Sequence, residues 1–343
     1  MDLEHFFVSQ LWHSDLAWWG QGFTDIPVEK VKGACMPEKI DEVDQLIKQL
    51  AETFGRPIRS PILHWPDEYG LEYESVSFPS EDGVPLDAWF IPCKGSNKIA
   101  IANHPIWHNR YGLPAHLEPW KQIGAAGGND FEVNFMADYK NLHDAGYNVL
   151  TYDMRNFGHS GIGNGGVGSN GIFESRDVIG SIQYVRSRPD TKDMTVVLFS
   201  RCCGMNATFI AHDRRPEVFR DIRAIVSPQP VSLRPFYERI TEILGITDRL
   251  DDIEREIQLI TSFKFDDMSP IPYAKSMDIP TFLVQVRNDA LTKESDVQTI
   301  FDSIPTNDKK LFWIENSTRR WDGYNYFPHN PEQLIDWFDT HTS

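Results

Sequence analysis

The stretch "VVLFSRCCGMNATF", residues 196–209, sets four β-formers directly against two adjacent cysteines and a glycine, and then reads as a helix. Its centre has the form small-x-nucleophile-x-small, with Ser200 and Gly204 flanking Cys202. A strand that turns so tightly into a helix crowds the backbone two residues either side of the apex, so only small side chains fit there. The apical side chain is thrust out at the sheet edge. The following helix N-terminus carries partial positive charge, which favours a thiolate over a thiol. The Cys203 side chain reads as buried packing.

Outward from this turn, strands and helices alternate. Upstream, "EYESVSF" and "VPLDAWFIP" form a hairpin around "PSEDG", followed by the short apolar strand "KIAIANH". A long irregular stretch and a helix around "FEVNFMADYKNLHDAGY" lead to strand "NVLTYDM", and "FESRDVIGSIQYVRSR" is the helix before the cysteines. Downstream come strand "AIVSPQP", a helical segment over 231–278, strand "TFLVQVRN", helix "KESDVQTIFDSI", strand "KKLFWIE" and helix "PEQLIDWFDTH". That alternation predicts an α/β fold: a mostly parallel, doubly wound sheet led in by an antiparallel hairpin. Residues 1–70 read as a helical extension, with Ile40, Val43, Ile47 and Leu50 on one face. Phe6, Phe7, Trp12, Trp18 and Trp19 are too apolar for a free tail, so the extension is expected to pack as a cover or a subunit contact.

Composition excludes several classes. The 343-residue chain has a formal charge of −17, which argues against nucleic acid or an anionic membrane as partner. Its first twenty residues do not read as a signal peptide, and no window is apolar enough to span a membrane. The four cysteines show no zinc spacing and no disulfide framework, so reduced thiols in a cytoplasmic setting are expected, with no metal. "GIGNGGVGSNG" at 161–171 lacks the ending of a phosphate loop and reads as a plain loop.

Over roughly residues 70–340 the sequence resembles the α/β-hydrolase family. It departs from the usual G-x-S-x-G in having Ser200 at the first glycine and Cys202 for serine. Cysteine at that position resembles the dienelactone-hydrolase branch, and the helical extension is similar to that of FrsA-like and pseudooxynicotine-hydrolase-like members. The resemblance implies a core over 71–230 and 279–343 with a helical lid over 231–278. It also implies an oxyanion hole formed by the N–H groups of Cys203 and Ile106, because the family's His-Gly-x becomes His104-Pro105-Ile106 and Pro105 has no N–H.

The family's chain order of nucleophile, acid and histidine assigns Asp289 as the acid. The histidine should follow "KKLFWIE" within a few residues, but Arg319 and Arg320 stand where it is sought first. His329, just before the last helix, is therefore expected to be the base. His104, Asp153, Arg155 and His159 read as structural. Trp107, His108, Arg110 and Tyr111 after the oxyanion loop, with Phe236 and Tyr237 from the lid, are the expected pocket wall. Together these imply a cofactor-free hydrolase, or an acyl transferase or cyclase, that acts on an ester, lactone or thioester of an apolar or aromatic acyl compound through Cys202, His329 and Asp289. Its partner would be a small molecule, with a homodimer formed through the extension or lid. Carbon–carbon bond hydrolysis on the same fold, or a non-catalytic ligand-binding descendant, are the alternatives.

Overall fold

The computed structural model describes residues 42–343. The aromatic cluster from Phe6 to Trp19, and the first residues of the extension, lie outside the described residues. The described part is built on an eight-stranded sheet: β1 (Glu74–Pro79), β2 (Pro85–Ile91), β3 (Lys98–Asn103), β4 (Asn148–Tyr152), β5 (Thr195–Ser200), β6 (Ile222–Pro228), β7 (Thr281–Val286) and β8 (Lys309–Ile314). Their spatial order is β1-β2-β4-β3-β5-β6-β7-β8. The β1–β2 hairpin and the β2–β4 pair are antiparallel, and every later pair is parallel.

Strands β4 and β7 are buried along their whole length, and β5 at all but its first residue. That burial fits their mostly apolar and β-branched make-up, since helices cover both faces of a parallel sheet; Thr151 and Gln285 are buried polar interruptions in β4 and β7. The main helices are α1 (Glu42–Gly55), α2 (Met136–Asp144), α3 (Ser175–Ser187), α4 (Cys203–Arg214), α5 (Leu233–Leu244), α6 (Leu250–Thr261), α7 (Glu294–Ser303) and α8 (Pro331–Thr342). The helix expected around residues 131–147 is shorter, because Val133–Asn134 instead pairs with Gly112–Leu113 as a small separate sheet. Among the described residues, no helix is long and apolar enough to cross a membrane.

The segment expected as a lid carries α5 and α6. Phe54 of α1 meets Tyr237 edge-on at 6.4 Å, and the Trp107 indole N–H donates to the Thr53 carbonyl at 2.9 Å. The end of α1 thus touches both α5 and the loop after β3.

One buried ion pair fixes the β5–α4 turn from below. Arg201 Nη2 donates to Asp138 Oδ2 at 2.7 Å, with both side chains fully buried and the guanidinium 3.7 Å from the Phe199 ring centre. Burial pushes the Asp138 carboxyl up to about 6, against the pull of Arg201. Removing one member strands the other charge in the core. Asp138→Ala should therefore cost about 3–5 kcal/mol in urea unfolding. A loss below about 1 kcal/mol, the level of an exposed pair, would show that the pair does not brace the turn.

Candidate active site

The turn between β5 and α4 holds Cys202 at φ 50° and ψ −114°, a left-handed conformation that a non-glycine residue adopts only under constraint. The constraint is visible on both sides. The Cys202 N–H donates to the Pro228 carbonyl at 2.9 Å, and the Cys202 carbonyl accepts from Met205 and Asn206 in the first turn of α4. A Cβ on Gly204 would lie 2.8 Å from the Asn103 carbonyl oxygen, so glycine is required there. Ser200, the other small flank, also has its hydroxyl in a hydrogen-bond chain. The Tyr152 hydroxyl donates to Asn103 Oδ1, Asn103 Nδ2 donates to Ser200, Ser200 bonds Thr208, and Thr208 donates to the Gly204 carbonyl, all within 2.7–2.9 Å. The serine that departs from the glycine pattern thus ties the strand to the helix.

The Cys202 thiol, 3% exposed, faces a guanidinium. Arg320 Nη2 lies 3.7 Å from the sulfur, and Arg320 Nη1 donates to Asp289 Oδ2 at 2.8 Å. Asp289 also accepts from the Leu291 N–H, the Thr292 hydroxyl and Gln285 Nε2, so its orientation is fixed. The Arg320 side chain continues to the Gln229 carbonyl through Nη2 and to the Tyr324 hydroxyl through Nε at 3.2 Å. Burial opposes the charge on Arg320, but Tyr324, Asp289 and Cys202 around it raise its pKa further above the ordinary arginine value. Burial pushes the Tyr324 phenol well above its usual range, so it stays neutral.

The loop after β8 is pinned to deliver this arginine. Gln229 Nε2 donates to the Arg320 carbonyl at 2.7 Å, and the Trp321 N–H donates to Asn129 Oδ1 at 2.8 Å. A Cβ on Gly323 would fall 1.8 Å from Gln229 Nε2.

Cys202 and Arg320 line a cavity of about 30 Å³ with Ile106, Trp107, His108, Phe236, Tyr324 and neighbouring apolar side chains. Among the described residues, neither the Ile106 nor the Cys203 N–H is hydrogen-bonded, as oxyanion donors would have to be. His108, 1% exposed, has Nδ1 at 2.8 Å from the Ile106 carbonyl, while its Nε2 has no partner. Burial pushes the His108 pKa down to about 3 despite that bond, with His104 and the Arg201 and Arg320 cations adding to the effect. The ring is neutral, with the proton on Nδ1 and a lone pair on Nε2.

Several sequence expectations are corrected. His329 is exposed, and its ring bonds neither Cys202 nor Asp289; the place between them is taken by Arg320. The Tyr326–His329 turn carries His329 toward α2, where the Asn141 amide holds the Phe327 and Pro328 carbonyls. Arg110 does not line the cavity: it is buried against Asp87, Asp153 and the Trp89 ring. Tyr111 donates to Glu132 instead, and Tyr237 stacks on Phe265 at 5.0 Å. Phe236, Trp107 and His108 do line it. Asp153 is structural, accepting from the Arg110 and His159 N–H groups, and Arg155 pairs with Asp177 and Asp82. Among the described residues, no group of His, Cys, Asp or Glu is placed to hold a metal ion.

No family model matches the chain. Over 156 residues it is 28% identical to the uncharacterized protein YfhR of Salmonella typhimurium, a match covering 43% of this chain and 45% of that protein. The match thus spans less than half the length of that relative. Among solved structures, the Pyrococcus furiosus esterase Pf2001 superposes with a TM-score of 0.62 at 19% identity, over 84% of this chain and 99% of that one. The alpha/beta hydrolase GrgF from Penicillium sp. sh18 gives 0.53 at 14% identity, over 79% and 99%. The chain has the α/β-hydrolase fold.

Within that α/β-hydrolase fold, Arg320 follows β8 at the place where sequence reasoning first looks for the histidine. The signal was present as the arginine pair, but an arginine does not fit a search for a base. His104 shows why a histidine beside the site need not be catalytic. Its Nε2 accepts the Met154 N–H at 2.8 Å and its Nδ1 faces the Pro105 carbonyl at 2.7 Å, so both nitrogens are used. Burial lowers its pKa from 6.5 to about 3, helped by Arg201 and Arg110 and opposed by the Pro105 bond. The unfolded chain then binds more protons than the folded one between these values, so this histidine's contribution is present at neutral pH and lost as pH falls. The stability margin of wild type over His104→Asn should narrow as pH drops from about 6.5 to about 5 in urea unfolding. A margin that stays constant over that window would contradict the assignment.

Proposed function

We propose that the protein is a cysteine-dependent acyl-transfer enzyme, a hydrolase in its simplest form, in the manner of the dienelactone-hydrolase type of elbow. The observation that carries this reading is the line from Asp289 through Arg320 to the Cys202 sulfur at a strained strand–helix turn. Arg320 stays charged at every working pH, so it can hold a thiolate but cannot take a proton from a thiol or hand one to a leaving group. Asp289 orients it, as the acid of a triad orients imidazole.

In this reading the Cys202 thiolate adds to a carbonyl, the Ile106 and Cys203 N–H groups receive the developing oxyanion, and a thioester acyl-enzyme forms. With Arg320 and not an imidazole on the sulfur, substrates whose leaving group departs as a stable anion are favoured. Thioesters and aryl or enol esters meet that condition; alkyl esters of ordinary alcohols do not. The cavity walls Trp107, Phe236, Leu233 and Val231 suit an apolar or aromatic acyl chain. At about 30 Å³ the cavity admits water but not such a chain, so α5 and its flanking residues must shift to admit substrate.

Intact-mass spectrometry after mixing with a panel of aryl esters and thioesters tests the reading. Wild type should gain one acyl mass on the peptide holding Cys202, and Cys202→Ala should gain none while turnover falls by about 10³-fold or more. Equal turnover by the two proteins would dismiss Cys202 as nucleophile.

A further inference from the structure

We propose that His108, from the loop after β3, is the group that activates water to release the acyl chain from Cys202. This rests on the acyl-enzyme reading above. A guanidinium can stabilise the thiolate, but hydrolysis of a thioester still needs an acceptor for a water proton. His108 Nε2 is a buried acceptor with no partner, on a residue lining the same cavity as Cys202. A buried lone pair of this kind is costly unless something donates to it.

The geometry settles which nitrogen is free. Nδ1 lies 2.8 Å from the Ile106 carbonyl, which can only accept, so the proton sits on Nδ1 and Nε2 carries the lone pair. The ring cannot turn away, because Phe135 stacks on one face at 5.9 Å and the edges of Trp321 and Tyr324 close on it at 5.9 and 5.3 Å. The same residue, Ile106, offers its N–H as oxyanion donor, so one short loop positions both the base and the oxyanion site. A cavity of about 30 Å³ holds a water molecule, and its polar lining includes His108, Cys202, Arg320 and Tyr324.

The step balances without a co-reactant. A water oxygen bonds to the thioester carbonyl carbon while one of its protons moves to His108 Nε2. Collapse of the tetrahedral intermediate breaks the carbon–sulfur bond, and the electron pair returns to sulfur beside Arg320. The carboxylic acid leaves with the second proton, and Nε2 gives the first to solvent. Hydrolysis, rather than transfer to another acceptor, is then the outcome this site is built for.

Two variants separate the roles. His108→Asn keeps a donor near the Ile106 carbonyl and removes Nε2, whereas His108→Gln places a non-basic amide where Nε2 stood. In both, Cys202 should still acylate with an aryl ester, but the acyl-enzyme should accumulate in intact-mass spectra. Its single-turnover decay should slow by about 10²-fold. Decay at the wild-type rate in either variant would overturn the assignment. Failure of the wild-type protein itself to acylate Cys202 would instead defeat the function on which it rests. Loss of acylation together with circular dichroism showing an unfolded His108→Asn would leave His108→Gln to decide.

Discussion

A buried guanidinium holding a sulfur on one side and a carboxylate on the other is the interaction on which this site depends. Asp289 needs Arg320, because a carboxylate buried without a cation is expensive. Arg320 needs Asp289 for the same reason, and both lie in the core. The loop after β8 is shaped by that mutual need. Gln229 is held at φ 61° to reach the Arg320 backbone, and Gly323 leaves the space that its side chain occupies. On the opposite side, the left-handed backbone of Cys202 brings the sulfur to the same guanidinium. Strain at two non-glycine residues is thus spent on one contact.

Exchanging imidazole for guanidinium separates tasks that a histidine combines. A histidine both activates the nucleophile and shuttles protons. An arginine supplies a fixed charge and leaves proton transfer to another group or to the substrate. The neutral His108 ring, its Nδ1 tied to the Ile106 carbonyl, is the group proposed above for the second task. The small, mostly apolar cavity joins them, and a water-excluding site strengthens both the ion contact and any hydrogen bond within it.

Most of the fold was legible in the sequence because it rests on local signals. The mostly apolar and β-branched segments of β4, β5 and β7 mark strands covered on both faces, and the small flanks of Cys202 mark the tight turn. Asp289, assigned by the family resemblance, lies just after β7 and pairs with Arg320, not with a histidine. What local pattern could not convey was which side chain fills the gap between Asp289 and Cys202. His329 looked suitable by residue type, yet its turn leads away toward α2, whereas Arg320 sits four residues before Tyr324 and is steered by contacts with Gln229 and, at Trp321, with Asn129. Those partners are distant in sequence. The same holds for the pocket wall: Trp107 and His108 face the cavity, but Arg110 and Tyr111, two residues further on, are drawn off by Asp87, Asp153 and Glu132.

The measurement that bears most directly on the proposal that Arg320 holds Cys202 as a thiolate is the rate of Cys202 alkylation by iodoacetamide in wild type and in Arg320→Gln. It should be read by peptide mass spectrometry, with the half-buried Cys93 as internal reference. The account predicts that alkylation of Cys202 relative to Cys93 falls by about tenfold or more in the variant, since the thiolate is the reactive form and its cation has gone. An unchanged ratio in a folded Arg320→Gln protein would contradict it.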